Sequence, residues 1–184
     1  DRHALMVRSM AAERAEPLLR REVCEDFDYH AVRALRRQIM EAYIDENGVE
    51  AKAGLLPMLR ELKQMGLRIG LATATPEARA RKYRRMVGAE AAFDAVACAE
   101  MVAHGKPAPD VYLLAARELN LPPRVLLGVE DSPSGVQSAH AAGMTVAMVP
   151  DQDQPSAEIA ALCALVAPSL AGIAPFVKES LRRP

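Results

Sequence analysis

From residue 50 onward, short apolar runs alternate with amphipathic stretches, and this alternation restricts the fold more than any other feature of the chain. Leu55, Leu56, Leu59, Leu62 and Met65 recur at helical spacing and stop at Gly66. Residues 67–72 then predict a short strand, and Thr75-Pro76 opens a helix with Thr75 as N-cap and Pro76 at the first helical position. Further strands are predicted over 93–98, 125–129 and 144–149, separated by helices over 109–119 and 133–142. The run 125–129 is apolar throughout, as a strand covered on both faces requires. A helix over 157–162, an edge strand over 164–167 and a last helix over 170–181 follow. Such alternation predicts βαβ units with right-handed crossovers. The fold class is therefore α/β, a Rossmann-like parallel sheet with helices on both faces. Ligands of such sheets bind beyond the carboxyl ends of the strands, which is where chemistry should be sought.

Residues 1–48 are patterned differently. Ala4, Leu5, Val7 and Met10 suggest one amphipathic helix, and Tyr29, Val32, Leu35, Ile39, Met40 and Tyr43 a longer one. Arg33, Arg36 and Arg37 lie between the latter and read as its solvated face. Asp26-Phe27-Asp28, between helical stretches over 17–25 and 30–43, reads as a helix-capping loop, and Glu46-Asn47-Gly48 as a helix stop. Two domains are expected, 1–48 and 49–184. A net charge of −1 gives no bulk attraction for nucleic acid. The apolar runs are too short and interrupted for a membrane span. Cys24, Cys98 and Cys163 stand far apart without a CxxC pair. That argues against a zinc knuckle or disulfide framework and leads us to expect a cytoplasmic protein.

Three loops at the predicted strand ends carry polar residues: Thr73-Ala74-Thr75, then Gly105-Lys106-Pro107-Ala108-Pro109-Asp110, then Glu130-Asp131-Ser132-Pro133-Ser134-Gly135. Taken singly, each has a plainer role. Thr73 can bond a neighbouring backbone group, Lys106 can be an exposed turn residue, and Glu130-Asp131-Ser132 can cap a helix. Taken together they gather a hydroxyl, an ammonium and two carboxylates at one sheet edge. Adjacent acids after an apolar strand need solvent, hydrogen bonds or a cation. Carboxylates with water and phosphate oxygens suit Mg²⁺, and a lysine and a hydroxyl beside it suit a transferring phosphoryl group.

These three loops resemble the second, third and fourth motifs of the haloacid dehalogenase-like superfamily of phosphohydrolases and mutases. They occur in family order, with Thr73, Lys106 and Asp131 33 and 25 residues apart. The resemblance covers residues 50–150 most strongly. The helical 1–48 resembles part of the α-helical cap of the beta-phosphoglucomutase-like branch. It implies that Thr73 binds the phosphoryl group with the backbone at Ala74. It also implies that Lys106 bridges phosphate and the catalytic carboxylate, that Asp131 ligates Mg²⁺ with Glu130 as ligand or just behind it, and that Ser132 orients the metal's water ligands. The implied activity is Mg²⁺-dependent phosphoryl transfer from a small, sugar-phosphate-like metabolite through an aspartyl phosphate. The alternatives are a phosphomutase and a non-catalytic phosphate-binding remnant.

The family's first motif, Asp-x-Asp after an apolar strand, has no counterpart here. Asp26-Phe27-Asp28 has the spacing but no preceding strand and no following Gly. The chain opens on Asp1, and only 72 residues precede Thr73. The expectation is that the first strand, the nucleophile and the front of the cap are missing. The sheet should then expose an edge through which copies could associate. Pro76-Glu77 stands where mutases of this branch hold a distal phosphate, and a glutamate there favours a monophosphate substrate. A phospho-receiver module would place its acid pair early and its lysine last, the reverse of the order here.

Overall fold

The structure, a computed structural model, describes residues 12–152 and 154–182. The predicted amphipathic stretch at Ala4–Met10 lies outside the described residues. The chain divides into two compact units, Asp1–Val49 and Glu50–Pro184.

In the first unit, α1 (Ala12–Glu22) and α2 (Tyr29–Asn47) flank the Asp26–Asp28 turn. Asp28 caps α2 by accepting from the Ala31 N–H at 2.8 Å, and Gly48, at φ 77°, ends it, both as the sequence predicts. Glu16 accepts from Arg20 at 3.0 Å and faces His30 Nε2 at 3.3 Å, which ties α1 to the start of α2. No residue of α2 is buried, and its apolar stripe, Val32, Leu35, Ile39, Met40 and Tyr43, is exposed.

The second unit runs α3 (Leu55–Gln64), β1 (Gly70–Thr73), α4 (Glu77–Met86), β2 (Ala95–Cys98), α5 (Asp110–Glu118), β3 (Leu127–Glu130), α6 (Pro133–Ala141), β4 (Thr145–Met148), α7 (Ala157–Ala161), β5 (Leu165–Val166) and α8 (Ile173–Ser180). Every strand pair is parallel. The pairing falls into two parts, β1-β2 and β3-β4-β5, with no ladder between β1 and β3. Among the described residues no strand precedes β1.

Alternation along each strand builds two cores. Val146 and Met148 of β4, with Ala97 of β2, pack with Val111, Tyr112 and Ala115 of α5 and Val136 and Ala139 of α6. Ala147 and Val149 join Met58 and Leu59 of α3 and Ile173 of α8 on the other face. Both clusters draw on both parts of the sheet, since Ala72 packs on the first and Ile69, Phe93, Leu127 and Val129 on the second. Helices therefore cover both faces, as the βαβ pattern predicts. Gly128 is required where β3 meets α6, because a Cβ there would sit 2.8 Å from Ala139 Cβ.

The element boundaries that bear on the site differ from prediction. The strands predicted over 67–72 and 125–129 run one residue further, to Thr73 and Glu130, because Thr73 pairs with Cys98 and Glu130 with Met148. The predicted helix start also moves. Pro76, not Thr75, is the N-cap, and it offers no side-chain cap. The first free N–H, that of Glu77, is instead bonded by Glu100 Oε1 at 3.0 Å.

Asp94 fixes the entry to β1. Its carboxylate accepts from Lys63 Nζ at 2.6 Å and from the Ile69 N–H at 2.7 Å. The Lys63 hydrogen bond first, and the Ile69 bond second, hold its pKa below the ordinary 3.8. The folded chain thus binds this proton more weakly than the unfolded chain. The stabilisation is complete above pH 3.8 and is lost as pH falls through the depressed value. Asp94→Ala is expected to cost about 1 kcal/mol at neutral pH, the pair being partly solvated. In urea titrations the gap from the parent chain should narrow as pH falls below 3.8.

Candidate active site

The loop between β2 and α5 is anchored on its α5 side. Buried Ser138 on α6 donates its hydroxyl to Ala108 O at 2.6 Å. Asp110 Oδ1 accepts from the His104 N–H at 3.1 Å and lies 3.0 Å from His104 Nδ1. From this loop Lys106 Nζ donates to Ala72 O at 3.1 Å and to Glu130 Oε1. One ammonium therefore meets the backbone one residue before Thr73 and the carboxylate one residue before Asp131. The ends of β1 and β3, which share no ladder, are joined through it.

Glu130 is buried because it belongs to the strand. It follows the alternation that turns Gly128 toward α5 and α6, so its carboxylate points inward. Oε1 accepts from Lys106 and from the Tyr112 hydroxyl, the latter at 2.5 Å, and Oε2 accepts from the Asp131 N–H at 3.2 Å. Lys106 Nζ also lies 5.0 Å from the Tyr112 ring centroid, in cation–π range. The carboxylate rests against Gly135, where a Cβ would land on its carboxyl carbon and both oxygens. Desolvation, then the charge of Glu130, pushes the Tyr112 phenol far above its ordinary pKa of 10, so it remains a donor.

Asp131, one residue on, turns to the surface. The packed atoms around it, and next the Glu130 charge, raise its pKa above the ordinary 3.8. Ser132 accepts from the Gly135 N–H at 3.2 Å and so caps α6, and its hydroxyl lies 3.5 Å from Glu130 Oε2. Thr73 Oγ1 accepts from the Thr75 N–H at 3.1 Å, which leaves the hydroxyl proton free to donate elsewhere. Ala74 is exposed beside it. Sequence reasoning passed over Tyr112 and Ser138. The available signal was an aromatic hydroxyl on an aliphatic helix face, in a chain with only four tyrosines, three phenylalanines and no tryptophan.

The donor set suits a hard divalent cation in one respect. Asp131 offers an outward carboxylate, and Mg²⁺ is content with one or two carboxylates completed by water and phosphate oxygens. Glu130, with both oxygens already hydrogen-bonded, stands behind it. No group of three His, Cys, Asp or Glu side chains placed to hold a metal occurs among the described residues.

A hydroxyl, an ammonium and two acids at the carboxyl ends of parallel strands agree with a wider likeness. The family model for haloacid dehalogenase-like hydrolases matches residues 4–143. The chain belongs to this family.

Among curated relatives of this haloacid dehalogenase-like chain, Protein CbbY of Rhodobacter capsulatus is 41% identical over 108 residues, covering 55% of this chain and 48% of its own. Hexitol phosphatase B of Escherichia coli K12 is 36% identical over 121 residues, covering 62% and 54%. The chain thus spans about half the length of the curated relatives it matches. The crystal structure of beta-phosphoglucomutase from Clostridium difficile superposes with a TM-score of 0.74 at 22% identity, over 97% of this chain and 80% of that one, a likeness of fold. No helix among the described residues is long and apolar enough to cross a membrane.

Proposed function

We propose that this chain carries the phosphate-holding side of a phosphohydrolase acting on a small phosphorylated metabolite of the sugar-phosphate class. The observation that carries this reading is Lys106, whose ammonium joins the end of β1 beside Thr73 to the end of β3 beside Asp131. The naming of relatives such as hexitol phosphatase B supports the substrate class.

In this reading the Thr73 hydroxyl donates to an equatorial phosphoryl oxygen, with the backbone at Ala74 beside it. Lys106 offsets the charge that develops on the phosphoryl group. Asp131 would hold Mg²⁺, with Glu130 behind it and Ser132 near its water ligands. The ion would supply charge neutralisation. The reaction is displacement at phosphorus by an aspartate carboxylate. An oxygen–phosphorus bond forms as the ester bond breaks, and water then releases phosphate and restores the carboxylate. Thr73, Lys106, Glu130 and Asp131 do not include that nucleophile. At the start of α4 the Glu77 N–H is already bonded by the Glu100 carboxylate, which favours a monophosphate over a bisphosphate.

The test is hydrolysis of p-nitrophenyl phosphate with Mg²⁺, run beside calorimetric titration with inorganic phosphate. Phosphate binding is expected, weakened roughly tenfold or more in Lys106→Ala and Asp131→Ala. Turnover that these substitutions abolish would support the hydrolase. Binding without turnover would favour a non-catalytic phosphate-binding role. A chain that does not bind phosphate would end the reading.

A further inference from the structure

Glu130 and Asp131 are adjacent, yet only one faces outward. Strand register turns Glu130 toward α5 and α6, but register alone does not hold a carboxylate among buried atoms. An acid next to solvent and next to any bound cation gains by rotating outward unless its oxygens are bonded where they are. Oε2 has the Asp131 N–H at 3.2 Å and, at the long distance of 3.5 Å, the Ser132 hydroxyl. Oε1 has two donors, the Lys106 ammonium and the Tyr112 hydroxyl. Of these, the lysine is also claimed by Ala72 O. The tyrosine is 6% exposed on α5, and its hydroxyl donates to Glu130. Its ring adds a second contact, lying 5.0 Å below the ammonium.

We propose that Tyr112 is a positioning residue: its hydroxyl holds the Glu130 carboxylate inward against Lys106 and so leaves Asp131 as the outward member of this acid pair. Tyr112 does not touch the phosphoryl group. It acts by keeping two carboxylates from converging on one cation and by holding the ammonium's partner still. The proposal rests on the functional reading above.

Tyr112→Phe keeps the ring and its packing and removes only the hydroxyl. Two titrations of the full chain decide the matter, Mg²⁺ alone and inorganic phosphate alone. Released from the hydroxyl, Glu130 can swing out to join Asp131. Mg²⁺ should therefore bind roughly fivefold more tightly, while phosphate should bind roughly fivefold more weakly, each a change of the size of one ordinary hydrogen bond. Glu130→Gln in the same background should cancel the gain in Mg²⁺ affinity. A merely structural tyrosine would weaken both ligands together or move neither, and either result overturns the proposal. If the parent chain binds no phosphate, the functional reading fails, and a crystal structure of Tyr112→Phe still decides this one. Glu130 swung away from Lys106 upholds it, and Glu130 unmoved overturns it.

Discussion

Lys106→Met is expected to lower the stability of the chain by about 3 kcal/mol and to remove phosphate binding altogether. Its ammonium is the counter-charge of a carboxylate whose side chain is 6% exposed, and the lysine itself is 14% exposed. Removing the cation leaves Glu130 buried with only uncharged donors, the Tyr112 hydroxyl, the Asp131 N–H and the more distant Ser132 hydroxyl. Breaking one side of such a pair costs more than the pair contributed, because the remaining charge is already desolvated. The double variant Lys106→Met with Glu130→Gln should therefore recover much of the lost stability, the amide having no charge to strand. It should recover none of the phosphate binding. Urea denaturation of the two single variants and the double variant measures the coupling. Additive losses would show that the two side chains do not act as a pair.

Gly135→Ala should cost a similar amount, about 3 kcal/mol, for a different reason. The residue lies in the first turn of α6, where alanine would ordinarily suit a helix better than glycine. Here the added methyl group would occupy the space of the Glu130 carboxyl group. The carboxylate would have to move, giving up Lys106 and Tyr112 together. The effect should therefore depend on its neighbour. In a Glu130→Ala background there is no carboxylate to displace, and Gly135→Ala should become nearly neutral or mildly stabilising. Equal losses in both backgrounds would place the cost in the helix backbone instead.

The three loops were readable from the sequence because each sits where an apolar run gives way to polar residues, and the parallel fold sends those ends to one edge. The division of labour between Glu130 and Asp131 was not readable. The sequence ended the strand at Val129, which would have left both acids in the loop. The ladder runs one residue further, and that residue decides which acid is turned inward. The cap of α4 was misplaced for a related reason. Thr75 looked like a capping residue, but its own N–H is taken by Thr73 Oγ1, and Glu100, distant in sequence, supplies the acceptor for Glu77. The stripe on α2 shows the opposite case. Periodicity correctly marked a helix, while the exposure of that stripe is not a property that spacing alone can set.

By itself, the order of residues determined the alternation of strand and helix, the parallel pairing and the family, because periodicity and turn chemistry act over a few neighbours at a time. Only the folded chain decided that Lys106 meets Glu130, that Tyr112 joins them and that Gly135 leaves room for the carboxylate. Those contacts span up to tens of residues and depend on burial, where a single unpaired charge outweighs any local preference.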